Sequence, residues 1–317
     1  MASRRRPTGP LIQHPDRPLG PGTALGRYTV ERLRGQWRIG LAYAVRHEDG
    51  SPRLALTVKL KPGLMDRFLR WAAREGERRE SLPRDLIVPR EGGDLVGDRG
   101  YLILDPFEGD SLLQRVRQKG PLSERQAVHV VRRLASLVAG AHDQGLRLGG
   151  LRPTTVLLPG TGPKILSLGL RRGLDELLER PPGPPARYMP PDADPRRRPT
   201  YAEDIYALGA LAWYALSGEQ PPRMGPDHQV ALPPSWRRRD EEVAALLDPV
   251  VMRAMAPRVV DRHAHAGELA AELAAVAEVF DLPAGARALM GLPARDLGGF
   301  ERVGTDPGLL FDLLHRR

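Results

Sequence analysis

Two short apolar runs either side of a Pro-Gly-Thr-Gly turn constrain this chain most. Val156-Leu157-Leu158 and Ile165-Leu166 flank Pro159-Gly160-Thr161-Gly162, and that run length and punctuation predict a tight β-hairpin. A loop rich in glycine, starting at Gln144, leads into the hairpin, and Ser167-Leu168-Gly169 closes it.

At 317 residues the chain suits one large domain or two lobes with a sizeable core. It contains no run of about eighteen apolar residues, which predicts no membrane-crossing helix. The opening Met-Ala-Ser-Arg-Arg-Arg-Pro is basic, but no apolar segment follows it, so a secretory signal is not expected. There is no Cys, which rules out disulfides and thiolate metal sites and fits a cytoplasmic protein. The net charge is +9, and only four of the 48 basic residues are Lys: Lys59, Lys61, Lys119 and Lys164. Arg4–Arg6, Arg196–Arg198 and Arg237–Arg239 are clustered, but far apart and without interleaved aromatics, which argues against nucleic-acid binding.

Residues 1–26 are crowded with Pro, Gly and Arg, lack periodicity and read as a disordered arm. Arg27–Leu33 and Arg53–Leu60 read as strands, and Met65–Arg79 as a charged helix. Leu122-Ser123 opens a long helix in which Ser123, with Gln126 three residues on, forms a capping box. Ala127, Val130, Val131, Leu134, Leu137, Val138 and Ala141 recur at helical spacing as its core stripe. Gly218 is a natural helix terminator. His263 and His265 read as surface residues rather than metal ligands. Residues 281–317, broken by Pro283, Gly285, Pro293, Gly298 and Gly299, form an extension with no assigned role.

Several of these stretches together resemble a eukaryotic-type protein kinase of the bacterial serine/threonine kind, over residues 27–280. Gly35-Gln36-Trp37-Arg38-Ile39-Gly40 resembles the glycine-rich phosphate loop with Trp37 in place of its middle glycine, where an indole crowds the phosphate site. Leu56-Thr57-Val58-Lys59 resembles V-A-I-K, which makes Lys59 the phosphate-gripping lysine and sets Thr57 in place of Ala. Arg67-Phe68-Leu69-Arg70 resembles R-F-x-R-E, but Trp71 follows, leaving Glu75 and Glu77 as candidates to pair with Lys59. Tyr101–Leu112 resembles the lobe-joining hinge, implying adenine contacts from the Asp105 carbonyl and the Phe107 amide. Tyr188-Met189-Pro190-Pro191-Asp192, Asp204–Gly209 and Pro257–Leu269 resemble scaffold motifs of the larger lobe. The resemblance implies that Asp204 holds the catalytic-loop backbone and that Arg262 pairs with Asp192.

The positions that carry chemistry depart from the family. In the register set by Leu151 and Pro153, Gly150 stands for the catalytic Asp, Thr155 for a magnesium-binding Asn and Ser167 for the metal-bridging Asp. A neutral hydroxyl is a poor ligand for a hard dication. A base or orienting group contributes about 10²–10⁴ in rate, so transfer should fall orders of magnitude below the usual ~1–100 per second. Asp143 and Asp175 are nearby in sequence, but neither stands at a compensating position. The activation-segment equivalent, Leu170–Tyr188, has no Ser or Thr to phosphorylate.

The sequence therefore predicts an α+β, two-lobed kinase-like fold: a small β-rich lobe with one helix over 27–106 and a larger helical lobe over 107–280. It predicts a pseudokinase with no catalytic residues and no required cofactor, for which ATP is an optional ligand and magnesium is not expected. Its expected partner is another protein, such as an active kinase or that kinase's substrate, bound as scaffold or allosteric regulator, without membrane insertion. The alternatives are an atypical active serine/threonine kinase, motivated by Lys59, Gly35 and Gly40, and an ATP-binding regulatory protein.

Overall fold

The computed structural model describes residues 17–37, 40–61, 63–80, 82, 84–107, 109–166, 187–194, 197, 199–222, 233–235, 246–283 and 286. Ser167, the rest of the segment to 186, and nearly all of 281–317 lie outside them. The chain divides into two compact units, one drawing on residues up to 82 and 88–107, the other on 83–87 and most of the chain from 108.

The first unit is a six-stranded antiparallel sheet with one helix. Its strands are β1 (Ala24–Leu25), β2 (Tyr28–Trp37), β3 (Gly40–His47), β4 (Pro52–Lys59), β5 (Arg90–Val96) and β6 (Arg99–Leu104), in the order β1-β2-β3-β4-β6-β5. In β3 the alternation Leu41, Tyr43, Val45 puts three buried side chains on one face. They pack with Leu25, Val30, Ala55, Tyr101 and Ile103 into one core. β4 is buried from Leu54 to Val58 without alternation, because both of its faces are covered.

Residues 17–26, expected to be part of a disordered arm, are built into this unit. The Leu19 N–H donates to the Tyr43 hydroxyl at 3.0 Å, the Arg99 guanidinium donates to the Arg17 carbonyl at 3.0 Å, and β1 pairs with β2. Their Pro and Gly content hides two apolar anchors, Leu19 and Leu25, both packed with the sheet core.

Helix α1 (Met65–Glu80) packs on β5 and β6. Two glycines make room for it. A Cβ on Gly100 would lie 2.6 Å from the Phe68 ring, and one on Gly93 would lie 2.7 Å from Leu102 and 3.4 Å from Ala72. The sheet surface thus has hollows where the apolar face of the helix seats.

The second unit is mainly helical. Helix α2 (Leu112–Lys119) and helix α3 (Glu124–Asp143) each begin with a reciprocal capping box, Ser111 with Gln114 and Ser123 with Gln126. The expected stripe of α3 is buried apart from Leu137, which is half-buried. Helix α4 (Tyr201–Ser217) is buried from Asp204 through Leu216 and stops at Gly218, whose φ of 75° suits a residue without Cβ. Gly209 lets α4 approach helix α5 (Asp248–Ala254), since a Cβ there would lie 2.7 Å from that of Ala254. Helix α6 (Ala266–Asp281) packs along α3. A small sheet, β7 (Asp110–Ser111), β8 (Val156–Leu158) and β9 (Lys164–Ile165), contains the predicted hairpin, with Val156 opposite Ile165.

Among the described residues no helix is long and apolar enough to cross a membrane.

Candidate active-site loop

The loop from Gln144 to Thr155 is held at three points. At its start, Leu148 is buried and the Asp204 carboxylate accepts the N–H groups of Leu148 at 2.8 Å and Gly149 at 2.7 Å. A third group, His142 Nε2 at the end of α3, lies 3.0 Å from the same carboxylate. Since Asp204 is an acceptor, that nitrogen carries the hydrogen. In the middle, Leu151 is buried. At the end, Pro153 is buried and its carbonyl accepts the Leu113 N–H at 2.9 Å. The anchoring of the loop by Asp204, expected from sequence, is thus present.

Between the anchors the backbone follows a path that suits glycine. Gly149 and Gly150 have φ of 61° and 86°, left-handed values that an L side chain adopts only with strain. A Cβ on Gly149 would collide with Pro199, whereas one on Gly150 would meet nothing within 4 Å. Gly150 is exposed and brings only backbone to its position.

Thr155 is committed to its own turn. Its hydroxyl accepts the Arg152 N–H at 3.0 Å and donates to the Arg152 carbonyl at 3.1 Å. The described part of the loop therefore offers no carboxylate and no uncommitted side-chain oxygen at Gly150 and Thr155.

Elsewhere in this unit, Arg262 Nη2 donates to Asp192 Oδ1 at 2.7 Å, the expected pair. Arg262 also donates to the carbonyls of Ala256 and Pro257, at 2.7 Å each, and stacks over the Tyr206 ring. Burial pushes the Tyr206 phenol up to about 12 and the Tyr188 phenol further still. His263 is a correction: expected at the surface, it is buried, with Nε2 3.0 Å from Glu272. The 3₁₀ turn Val259–Asp261 carries the chain inward just before it. His265 remains exposed and caps α6, its Nδ1 accepting the Gly267 N–H at 3.0 Å.

In the β-rich unit, Gly35 and Gly40 lie on adjoining strands, and Trp37 pairs with Gly40 at the end of the hairpin. The Asp105 N–H donates to the Pro89 carbonyl at 2.9 Å, and Phe107 is half-buried. Lys59 departs from its expected role. Its side chain is 52% exposed at the end of β4, with Nζ 3.5 Å from Asp98 in the β5–β6 turn. Lys59 is paired with Arg99, five positions along β6 from Leu104, or roughly 17 Å at the usual strand rise, so it lies at the end remote from Asp105–Phe107.

The face is wrong as well. Directly opposed residues of an antiparallel pair share a face. Val58 opposes Gly100 and Leu56 opposes Leu102, the residues against which α1 seats. Thr57 and Lys59, one place out of phase, belong to the other face, and the Thr57 hydroxyl donates to the Leu41 carbonyl at 3.2 Å. The expected ion pair from Lys59 to α1 is therefore replaced by the Asp98 contact. Glu77 is exposed, and the Glu75 side chain lies outside the described residues.

No family model matches the chain. It is 26% identical over 263 residues to the serine/threonine-protein kinase PknD of Mycobacterium tuberculosis, covering 78% of this chain and 39% of PknD. With the serine/threonine-protein kinase PknE of Mycobacterium bovis it is 28% identical over 266 residues, covering 79% of this chain and 46% of PknE. The PknI kinase domain of M. tuberculosis superposes with a TM-score of 0.63 at 22% identity, covering 82% of this chain and all of that one. The chain is thus similar in sequence to serine/threonine-protein kinases and shares the protein kinase fold. The chain spans about two fifths of the length of the curated relatives it matches.

Within this kinase-like chain, the scaffold contacts of Asp204 and of Arg262 with Asp192 are in place, while the loop they support carries Gly150 and a committed Thr155. Sequence reasoning did not single out His142 or Pro199 as loop supports. His142 is the next-to-last residue of a helix leading into the loop, and Pro199 lies just before α4, positions at which a tertiary contact leaves no periodic signal.

Proposed function

We propose that this chain is a catalytically inactive protein kinase-like domain that works by binding another protein, as scaffold or allosteric regulator, in the cytoplasm. The reading rests above all on Gly150, a residue without a side chain where phosphoryl transfer needs a group to orient the acceptor hydroxyl. Thr155, bonded within its own turn, and the solvent-side position of Lys59 support it. The partner is an active kinase or a substrate of one. Nucleotide, where it binds, is a structural ligand rather than a reactant.

The rival reading, a serine/threonine kinase of atypical mechanism, is favoured by kinship, since PknD and PknE carry that name. Incubation with labelled ATP, Mg²⁺ or Mn²⁺ and a generic protein substrate separates the two. The inactive reading expects label at the level of a no-protein control. Transfer that tracks the chain through successive purification steps would defeat it.

A further inference from the structure

We propose that His263 is a positioning residue: through a closed ring of polar contacts with α5 and α6 it fixes the backbone from which Arg262 reaches Asp192. The seat of α6 and the Arg262–Asp192 pair are thereby coupled, whether or not the chain transfers phosphate.

Arg262 and His263 are neighbours in sequence, both buried, and committed to different parts of the unit. Arg262 serves Asp192 and the carbonyls of Ala256 and Pro257, each at 2.7 Å. Three acceptors in fixed places leave a planar guanidinium little latitude, so the backbone that carries it has to be placed closely.

His263 supplies that placement from the C-terminal side. Its side chain is 0% exposed, and Nε2 lies 3.0 Å from Glu272 Oε2. Since the carboxylate is an acceptor, this nitrogen carries the hydrogen. Its Nδ1 is buried without a partner among the described residues, so the polar hold on the imidazole comes from Glu272. Glu272 also accepts Arg253 of α5, the other arm of Arg253 reaches Glu268, and Glu268 Oε2 accepts the Ala264 N–H at 2.6 Å. Ala264 follows His263, so the circuit closes on the segment where it began. It joins the end of α5, the first two turns of α6 and residues 263–264.

On the N-terminal side, Arg258 and Asp261 are joined by hydrogen bonds of 2.7 and 2.8 Å, and the Arg262 N–H donates to the Val259 carbonyl at 3.1 Å. Both members of that ion pair are exposed, which makes it weak. The ring, with a fully buried member, is the firmer flank. A shift of α6 therefore shifts Arg262, and loosens Asp192 in the segment that leads to α4.

A double-mutant cycle in urea unfolding of the full chain tests this, crossing His263→Phe with Asp192→Ala. Independent sites multiply their effects on the unfolding constant, and linked sites do not. Once His263 lets go, Arg262 is no longer aimed at Asp192, and losing Asp192 adds little. The double variant should fall short of the product of the two single effects by about threefold or more. A smaller shortfall overturns the proposal. Arg125→Ala, which frees the far end of α6 from α3, is the control. Crossed with Asp192→Ala it should stay within about threefold of the product. A shortfall as large as that of His263→Phe overturns the proposal as well, because the coupling would not then run through His263. Where His263→Phe does not fold, Glu272→Gln takes its place in the cycle, with the same threshold. Label transfer enters neither arm, so failure of the cycle and failure of the inactive reading are separate results.

Discussion

The Asp204 carboxylate accepts the backbone N–H of Gly149 at 2.7 Å, across 55 residues of chain. The same carboxylate takes the Leu148 N–H and is itself only 1% exposed, so these donors have no water to turn to. Asp204→Ala leaves each of them short of a partner at about 1–3 kcal/mol apiece. A total loss of about 3 kcal/mol or more is expected in urea unfolding. Asp204→Asn keeps one acceptor oxygen and should lose about half as much.

The two loop glycines should separate in the same assay. Gly150→Ala faces only the cost of a left-handed backbone, about 1–2 kcal/mol, because its Cβ meets open space. Gly149→Ala adds a collision with Pro199 and should cost about 1–3 kcal/mol more. Equal losses would show that the loop relaxes around both. For the same backbone reason, Gly150→Asp should not by itself restore label transfer.

Arg262 has a side chain that is 0% exposed, while that of its partner Asp192 is 41% exposed. The two halves of the pair are therefore unequal. Arg262→Ala removes the guanidinium from two carbonyls and the carboxylate and should cost about 3–5 kcal/mol, as for one member of a buried pair. Asp192→Ala leaves the guanidinium its carbonyls and should cost about 1 kcal/mol, since water can replace the exposed partner. The melting temperatures should rank accordingly.

A fourth prediction lies in the pH dependence. Hydrogen bonding from Arg53 holds the Glu91 carboxyl below its ordinary value of 4.5, with the Tyr28 hydroxyl donating to the same group at 2.8 Å. A depressed acid contributes stability above its unfolded value that is lost as pH falls through the folded one. Glu91→Gln should therefore flatten the fall in stability below about pH 4.5.

Tyr28 reports on the same cluster from the alkaline side. Burial first, then the Glu91 hydrogen bond, pushes its phenol up to about 12. A raised group contributes stability present below its ordinary value, here 10.0, and lost as pH rises toward the folded value. Phenolate absorbance, taken as the difference from Tyr28→Phe, should appear near pH 12 in wild type. It should move only part-way back in Glu91→Gln, because burial remains.

Much of the scaffold was legible because its signals are local. The Ser123–Gln126 box and the Gly218 stop are written within a few residues of the element they delimit. Asp204, and Arg262 with Asp192, were legible for another reason: each stands in a motif whose neighbours match as a block. The order of residues 17–26 was not legible, because Leu19 and Leu25 are single anchors in a stretch of Pro and Gly. His263 was not legible either, since its burial comes with a contact to Glu272, nine residues on in α6.

By itself, then, the sequence determined the long capped helix α3, the hairpin of Val156 and Ile165, the Asp204 anchor of the loop, and that no carboxylate stands at Gly150. It could not determine which face of β4 meets α1. A strand alternates with period two, and a slip of one residue turns every side chain to the opposite surface without changing composition or spacing. Only the pairing of Leu56 with Leu102 and of Val58 with Gly100 decided that Leu54, Leu56 and Val58 face the helix and that Lys59 does not. Those hydrogen-bond partners lie more than forty residues away, and they exist only once the chain has folded.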